Sequence, residues 1–211
     1  MMKQNKGKLV ITSLILLLPM LAGCLLWNQL PDKIATHFGA DNQANGWSSK
    51  SFTVFAMPLI LLFFHILCLA VTSVDPKVKN IGKKPLEIIF WIIPGISLLV
   101  FVMIYANALH TKINIGFVCC LLLGFLFVVL GNLLPKAKQN FTFGIKLPWT
   151  LDDPENWNQT HRVAGWCMVA AGLVLIIASF WHPFWLLLTV AVLVVAIPTV
   201  YSYLYYRRTK H

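Results

Sequence analysis

The sequence predicts an all-α fold: a polytopic membrane helix bundle of six transmembrane helices, with both termini in the cytoplasm (N-in/C-in). Three observations predict it. Of the 211 residues, 58% are hydrophobic and 11% are charged, whereas an ordinary soluble domain carries about 25% charged residues. Six long runs contain no Asp, Glu, Lys or Arg, and the basic residues are concentrated in alternate loops between these runs.

The six uncharged runs are each 19 to 23 residues long. Because a helix rises about 1.5 Å per residue, each run covers roughly 28 Å or more, enough to cross the hydrocarbon core of a bilayer. The runs are Leu9–Trp27, Phe52–Val74, Ile88–Leu109, Gly116–Leu134, Val163–Trp181 and Phe184–Tyr206. We therefore expect a chain embedded in the lipid bilayer, with its specific chemistry in the loops or the bundle interior.

The basic residues set the predicted orientation. Of the 17 Lys and Arg residues, 14 lie at the N-terminus, between runs two and three, between runs four and five, or at the C-terminus. Cytoplasmic loops carry an excess of Lys and Arg, so these four segments are predicted to be cytoplasmic. Lys33, Lys50 and Lys112 remain for the other side. The net charge of +10 is therefore a topology signal, and we expect no direct nucleic-acid binding.

The five cysteines all lie inside the uncharged runs, without CxxC spacing. This pattern predicts neither a disulfide framework nor a zinc site, and we expect no metal and no cofactor. Cys24 leaves two interpretations open. Leu21-Ala22-Gly23-Cys24 is similar to the end of a bacterial lipoprotein signal, but the apolar run continues to Trp27, which favours an uncleaved first helix.

The chain is predicted to divide after residue 74. Residues 1–74 would form an N-terminal two-helix unit with an extracytoplasmic loop over residues 28–51. Residues 75–211 would form a four-helix unit with a cytoplasmic loop over residues 135–162. The first loop is rich in turn formers such as Asn45-Gly46, which predicts a compact loop or a short two-stranded element.

The second loop contains a predicted helix start. Asp153 is a typical N-cap residue, Pro154 suits the first helical position, and Glu155 favours the positive end of a helix. If this helix continues into the fifth run, one of its faces collects four residues by i, i+3, i+4 and i+7 spacing. Those residues are Trp157, Thr160, His161 and Ala164. The last two helices are expected to join in a tight turn at His182-Pro183.

Both loops resemble segments of one known family. Residues 30–38 read LPDKIATHF and residues 46–50 read GWSSK, similar to the LPDKIPTHF…GWxSK segment of the SdpI family. In the second loop, GNLLPK at 131–136, GIKLPWTL at 144–151, Trp157 and THR at 160–162 resemble that family's GNxLPK…GIRTPWTL…W…THR pattern. Two positions depart from it: Ala35 replaces the usual Pro, and Lys146 stands where Arg is frequent, although Arg and Lys differ in bidentate recognition.

The resemblance implies an immunity-like protein of the bacterial cytoplasmic membrane. It implies protection against an extracellular peptide toxin, and possible signalling by holding a cytoplasmic winged-helix repressor at the membrane. No chemical step and no catalytic residue is expected. The residues expected to face the toxin are Asp32, Lys33, Thr36, His37, Phe38 and Trp47. The residues expected to serve the cytoplasmic partner are Asn132, Pro135, Lys136, Gly144, Lys146, Pro148, Trp149, Thr150, Trp157, Thr160, His161 and Arg162.

An alternative function is a small transporter or intramembrane enzyme that uses the second loop and His65. An ionisable side chain in the middle of a span usually faces the bundle interior and can mark a proton or ligand route. A neutral His65 bonded to a neighbouring carbonyl is the simpler interpretation. In the first loop, Asp32, His37 and Asp41 lack compact metal-ligand spacing, so we interpret them as turn and surface residues.

Overall fold

The computed structural model describes residues 5–181 and 184–209. In that part of the chain, six helices are long and apolar enough to cross a membrane, which confirms the predicted all-α fold class with six transmembrane helices. The N-in/C-in orientation stays a prediction, and the expected turn at His182-Pro183 lies outside the described residues. The spanning helices are α1 (Lys6–Leu25), α2 (Met57–Val74), α3 (Lys83–Ala108), α4 (Ile115–Leu133), α6 (Pro154–Ala178) and α7 (Phe184–Thr209).

Shorter elements lie between the spanning helices. Strands β1 (Lys33–Phe38) and β2 (Ala44–Ser49) form an antiparallel hairpin, which confirms the expected two-stranded element. A π-helical turn (Phe52–Ala56) leads into α2. The short helix α5 (Pro148–Asp152) precedes α6, and the 3₁₀ turns are Val78–Ile81 and Leu134–Lys136.

Backbone contacts divide the chain into two compact units. Unit 1 comprises Met1–Ser73 and Glu87–Ile115, and unit 2 comprises Val74–Leu86 and Gly116–His211. Unit 1 therefore contains α1, α2 and the hairpin, which the sequence analysis assigns to the N-terminal unit, and also most of α3. Each unit is described separately.

Unit 1 is held together where the base of the hairpin meets three helical segments. Leu30, just before the hairpin, and Ile34 of β1 pack in one buried cluster with Val54 and with Phe101 and Tyr105 of α3. The Tyr105 hydroxyl donates a hydrogen bond of 2.9 Å to a backbone carbonyl of α1. Ile34 is fully buried, so the hairpin has a fixed apolar anchor and a separate solvent-facing surface.

His65 is fully buried in the middle of α2. Its Nε2 lies 2.9 Å from the hydroxyl oxygen of Thr12 on α1, so the partner is a hydroxyl group and not the expected carbonyl. The Thr12 hydroxyl also donates to the Lys8 carbonyl oxygen at 2.9 Å. It can therefore accept a hydrogen bond from His65 when Nε2 carries the ring proton. The other ring nitrogen, Nδ1, has no hydrogen-bond partner among the described residues.

In unit 2, α4 and α6 approach through four glycines. A Cβ added at Gly165 would lie 2.7 Å from the Gly131 carbonyl oxygen, and one added at Gly172 would lie 2.5 Å from the Gly124 carbonyl oxygen. The glycines are spaced seven residues apart on each helix, so they fall on one face. Small residues let transmembrane helices pack backbone to backbone, and here they bring the second half of α4 against the middle of α6.

Candidate functional site

The hairpin carries all six residues expected to face a toxin. Asp32 and Lys33 lie at its base, where Lys50 places its ammonium 3.5 Å from an Asp32 carboxylate oxygen. The Asp32 side chain is almost completely exposed, so this ion pair contributes little to stability. Lys50 is fixed instead by the Trp27 carbonyl oxygen, 3.2 Å from its ammonium, and by the Trp27 ring.

Cross-strand contacts hold the hairpin in register. The hydroxyls of Thr36 and Ser48 lie 3.0 Å apart, and His37 Nδ1 lies 2.5 Å from the Asn45 amide oxygen. The pairing is irregular at His37, which stands opposite Gly46, where an added Cβ would lie 2.9 Å from the His37 Cβ.

The hairpin surface is partly apolar. Phe38 is half-buried, whereas Trp47, opposite Ala35, is 57% exposed. The hairpin therefore presents an indole, an imidazole and two opposite charges on a rigid ribbon.

The 135–162 segment belongs to unit 2 and is folded tightly. Its main anchor is Asp75, a buried carboxylate that the sequence analysis does not single out. One carboxylate oxygen accepts hydrogen bonds from the Phe141 N–H (2.9 Å) and the Thr142 hydroxyl (2.7 Å), and the other accepts from the Lys77 N–H (2.8 Å). Hydrogen bonds to a charged acceptor are stronger than neutral ones, so Asp75 fixes the middle of the segment.

Gln139 makes a second connection. Its side-chain amide donates to the Thr150 and Leu151 carbonyls at the start of the next helix, and its amide oxygen accepts from Lys77 at 2.7 Å. Next to it, the buried Asn140 side chain closes a local turn through four backbone groups. Thr150, also buried, accepts from the Leu147 N–H at 2.9 Å and so starts α5.

Trp157 and His161 form the centre of the segment. Both are fully buried, and their rings stack with centroids 4.0 Å apart. The Trp157 indole N–H donates to the Ala137 carbonyl at 2.9 Å, and His161 Nε2 accepts the Ile145 N–H at 2.9 Å. Because Nε2 accepts this bond, it carries no proton, and Nδ1 is assigned as the donor to the Trp157 carbonyl at 2.7 Å. Both ring nitrogens thus bind backbone groups, which gives His161 a positioning role.

Gly144 fits against this stack. It adopts a φ of +130°, and an added Cβ would overlap Nε2 of His161 and lie 2.9 Å from the Trp157 ring. Only glycine therefore combines this backbone conformation with this close approach. The predicted helix start is also confirmed: the Asp153 carboxylate accepts the Glu155 N–H at 2.8 Å and Pro154 begins α6.

A polar network ties α5 and α6 to α7. The Trp149 indole donates to the Ser202 hydroxyl at 2.8 Å, and that hydroxyl donates to the buried Asn156 amide oxygen at 2.8 Å. The same amide oxygen accepts from the Thr160 hydroxyl at 2.9 Å. The indole of Trp149 also stacks on the Tyr206 ring. Sequence patterns single out Trp149 and Thr160 but miss Asn156 and Ser202, because these two residues bond each other across 46 residues of sequence.

The remaining predicted partner residues lie on the surface. Lys146 is exposed, although its ammonium lies 3.2 Å from the carbonyl oxygens of Phe141 and Thr142 and so closes the loop. The other exposed members are Asn132, Pro135, Lys136, Pro148 and Arg162. The predicted set therefore separates into a buried cluster that shapes the segment and an exposed set. Within residues 5–181 and 184–209, no group of three His, Cys, Asp or Glu side chains is arranged to hold a metal ion.

Six membrane-length apolar helices with two folded polar segments define a multi-pass protein of the cell membrane. Residues 136–202 match the model of the SdpI/YfhL protein family, and residues 14–62 match that of a domain of unknown function (DUF1648). Immunity protein SdpI of Bacillus subtilis (strain 168) is 27% identical over 214 residues, which cover 98% of this chain and 98% of that protein. No solved structure matches the chain. The chain is therefore similar to the SdpI family over residues 136–202 and to one of its members over almost its whole length.

Proposed function

We propose that this protein is an immunity protein of the cell membrane that protects the cell against an extracellular peptide toxin. The observation that carries this proposal is the similarity to Immunity protein SdpI, which extends over 98% of both chains. An alignment of this length includes both the hairpin and the 135–162 segment. We further propose the N-in/C-in orientation, which places the hairpin outside the cell and the 135–162 segment in the cytoplasm.

The hairpin is the surface that meets the toxin in this proposal. A membrane-active peptide is amphipathic, and the exposed face of the hairpin offers both kinds of contact: the Trp47 indole for apolar side chains and the Asp32 carboxylate for cations. Aromatic residues that are exposed on a rigid support are frequent binding hot spots. The buried Ile34 keeps this support in place.

Trp47→Ala tests the hairpin, with Trp185→Ala as the matched control. Trp185 lies in α7 and is 77% exposed, against 57% for Trp47, so both substitutions remove an exposed indole. In cells challenged with peptide toxin, Trp47→Ala is expected to lower the protective effect severalfold at an unchanged amount of protein in the membrane. Equal protection by both variants contradicts the role of the hairpin. A wild-type chain that protects against no member of a toxin panel contradicts the immunity function.

The 135–162 segment is the signalling surface in this proposal and binds a cytoplasmic winged-helix repressor. The buried Asp75 carboxylate holds Phe141 through its N–H, and the exposed Phe141 ring has its centroid 5.5 Å from the Lys77 ammonium. This combination of aromatic and basic groups suits a protein partner. For the toxin to control repressor binding, it must bind one of two conformations more tightly than the other.

Phe141→Ala tests this surface, with Phe125→Ala in α4 as the control, because both phenyl rings are exposed. A fluorescently tagged winged-helix repressor encoded beside this gene is expected to move to the membrane with toxin in the wild-type chain and in Phe125→Ala. It is expected to remain dispersed in Phe141→Ala. Recruitment that is equal in all three chains contradicts the assignment of the segment.

A transport function is the second candidate, because Nδ1 of the fully buried His65 has no hydrogen-bond partner among the described residues. A proton route through α2 requires an ionisable ring at this position. His65→Asn retains a polar side chain that can bond the Thr12 hydroxyl but does not titrate. Loss of protection in His65→Asn, with normal insertion, favours transport; unchanged protection contradicts it.

A further inference from the structure

We propose that a cavity between the C-terminal end of α4 and the middle of α6 binds the phosphate group of an anionic phospholipid. The cavity has a volume of about 250 Å³, and its polar lining consists of Asn132 and Lys136 from one side and Arg162 from the other. Gly131 and Gly165 form its floor, and Trp166 forms an apolar wall. Asn132, Pro135, Lys136 and Arg162 also belong to the set expected to serve the cytoplasmic partner, but phospholipid binding requires neither the toxin nor the repressor.

The glycine contact explains why the cavity exists. An added Cβ at Gly131 would lie 2.8 Å from the Gly165 carbonyl oxygen, so the two helices touch through their backbones. Pro135, one turn after Gly131, also packs against Gly165, where an added Cβ would lie 2.7 Å from the Pro135 Cγ, and the cavity opens beside this contact. Lys136 lies one turn after Asn132, and Trp166 lies one turn after Arg162, so two pairs of side chains surround the opening.

The charges in the cavity are not neutralised by the protein. The Lys136 ammonium donates to the neutral amide oxygen of Asn132 at 3.2 Å. The Arg162 guanidinium forms no hydrogen bond or salt bridge with any residue that the structure describes. No described lining residue is acidic. Two unpaired cations that converge on one opening form a binding site for a phosphate group, which Arg can contact through two parallel N–H groups.

The position of the cavity favours a lipid phosphate over a free one. The uncharged run of α4 ends at Leu134 and that of α6 begins at Val163, so Lys136 and Arg162 lie at the level of the headgroups. From Arg162, Trp166 and Val169 continue along α6 into the apolar region and line the same cavity. Trp is enriched at the membrane interface, and basic pockets between transmembrane helices bind anionic headgroups. A phospholipid therefore fits with its phosphate on the cations and an acyl chain along this apolar wall.

The test measures phospholipid binding to the full chain in nanodiscs of phosphatidylcholine. The melting temperature is followed while phosphatidylglycerol with the same acyl chains replaces part of the phosphatidylcholine. The double variant Lys136→Gln/Arg162→Gln is compared with Lys83→Gln/Lys84→Gln, which removes the same charge from two exposed lysines at the start of α3. Phosphatidylglycerol is expected to raise the melting temperature of the wild-type chain and of the control. The cavity variant is expected to require about tenfold more of this lipid for the same increase.

Two further measurements complete the test. Trp166→Ala keeps both cations, and it is expected to weaken the phosphatidylglycerol effect by a smaller factor. Inorganic phosphate added to pure phosphatidylcholine nanodiscs is expected to leave the melting temperature unchanged. A cavity variant or a Trp166→Ala variant that responds to phosphatidylglycerol like the wild-type chain overturns the proposal. A response to inorganic phosphate equal to that of the lipid also overturns it.

Discussion

Gly144→Ala tests whether the 135–162 segment depends on its contact with the Trp157–His161 stack. Gly144 has a φ of +130°, which an L-residue rarely adopts, and the added methyl group would overlap Nε2 of His161. The imidazole must move, and the hydrogen bond of 2.9 Å from the Ile145 N–H to Nε2 is then lost. The substitution therefore combines backbone strain with a broken buried hydrogen bond.

The expected magnitude follows from these two effects. A residue held in a rarely populated backbone conformation costs about 1–3 kcal/mol. A buried polar group left without a partner costs a further amount of about 1–3 kcal/mol. Their sum predicts that the free energy of unfolding falls by roughly 2–6 kcal/mol in Gly144→Ala.

Gly82→Ala is the matched control. Gly82 also has a positive φ, +81°, but an added Cβ would meet no atom closer than 3.9 Å. This variant therefore carries the backbone strain without the overlap, and it is expected to lose about 1–3 kcal/mol. The assay is unfolding in mixed micelles with increasing SDS, followed by the fluorescence of the eight tryptophans, which include Trp157. If Gly144→Ala is no less stable than Gly82→Ala, the stack does not depend on Gly144 and the reasoning is refuted.

Three further substitutions are predicted to act on unit 2. Asp75→Ala removes a carboxylate that accepts three hydrogen bonds. The free energy of unfolding is expected to fall by about 3 kcal/mol, and amide hydrogen exchange at residues 141–142 is expected to accelerate. Unchanged exchange at these residues contradicts the role of Asp75. Ser202→Ala leaves the Trp149 indole and the buried Asn156 amide without the hydroxyl that they share. In SDS unfolding, the free energy of unfolding is expected to fall by about 2 kcal/mol. A stability equal to that of the wild-type chain contradicts this expectation. Gly172→Ala is expected to lower the melting temperature, because its Cβ would lie 2.5 Å from a backbone oxygen of α4. In the control Gly95→Ala, the added Cβ would meet no atom within 4 Å, so the melting temperature is expected to stay unchanged or rise. Equal effects of the two substitutions would contradict tight packing of α6 against α4 at Gly172.

Much of the fold follows from local patterns in the sequence. The six spans follow from uncharged runs, because only a helix satisfies its own backbone hydrogen bonds within lipid. The start of α6 follows from Asp153, Pro154 and Glu155, since capping depends on neighbours within one turn. The buried face with Trp157 and His161 follows from helical spacing.

The anchors of the 135–162 segment do not follow from local patterns. Asp75 is separated by 66 residues from Phe141, whose N–H donates a hydrogen bond to its carboxylate. Nothing in the sequence near Asp75 distinguishes it from a surface acid at a helix end. His65 illustrates the same limit: its position in a span predicts a buried ring, but only the packing of α1 against α2 identifies Thr12 as its partner, 53 residues away.

The sequence by itself determined that this is a six-span membrane protein, and its two loop patterns indicated the similarity to the SdpI family. Composition and periodicity are sufficient for this because the bilayer imposes length and polarity on each span separately. Only the tertiary structure separated the loop residues by role: Gly144, Trp157 and His161 are packed inside, whereas Lys136 and Arg162 line an open cavity. That separation depends on side-chain packing and on hydrogen bonds between distant residues, which no local pattern encodes.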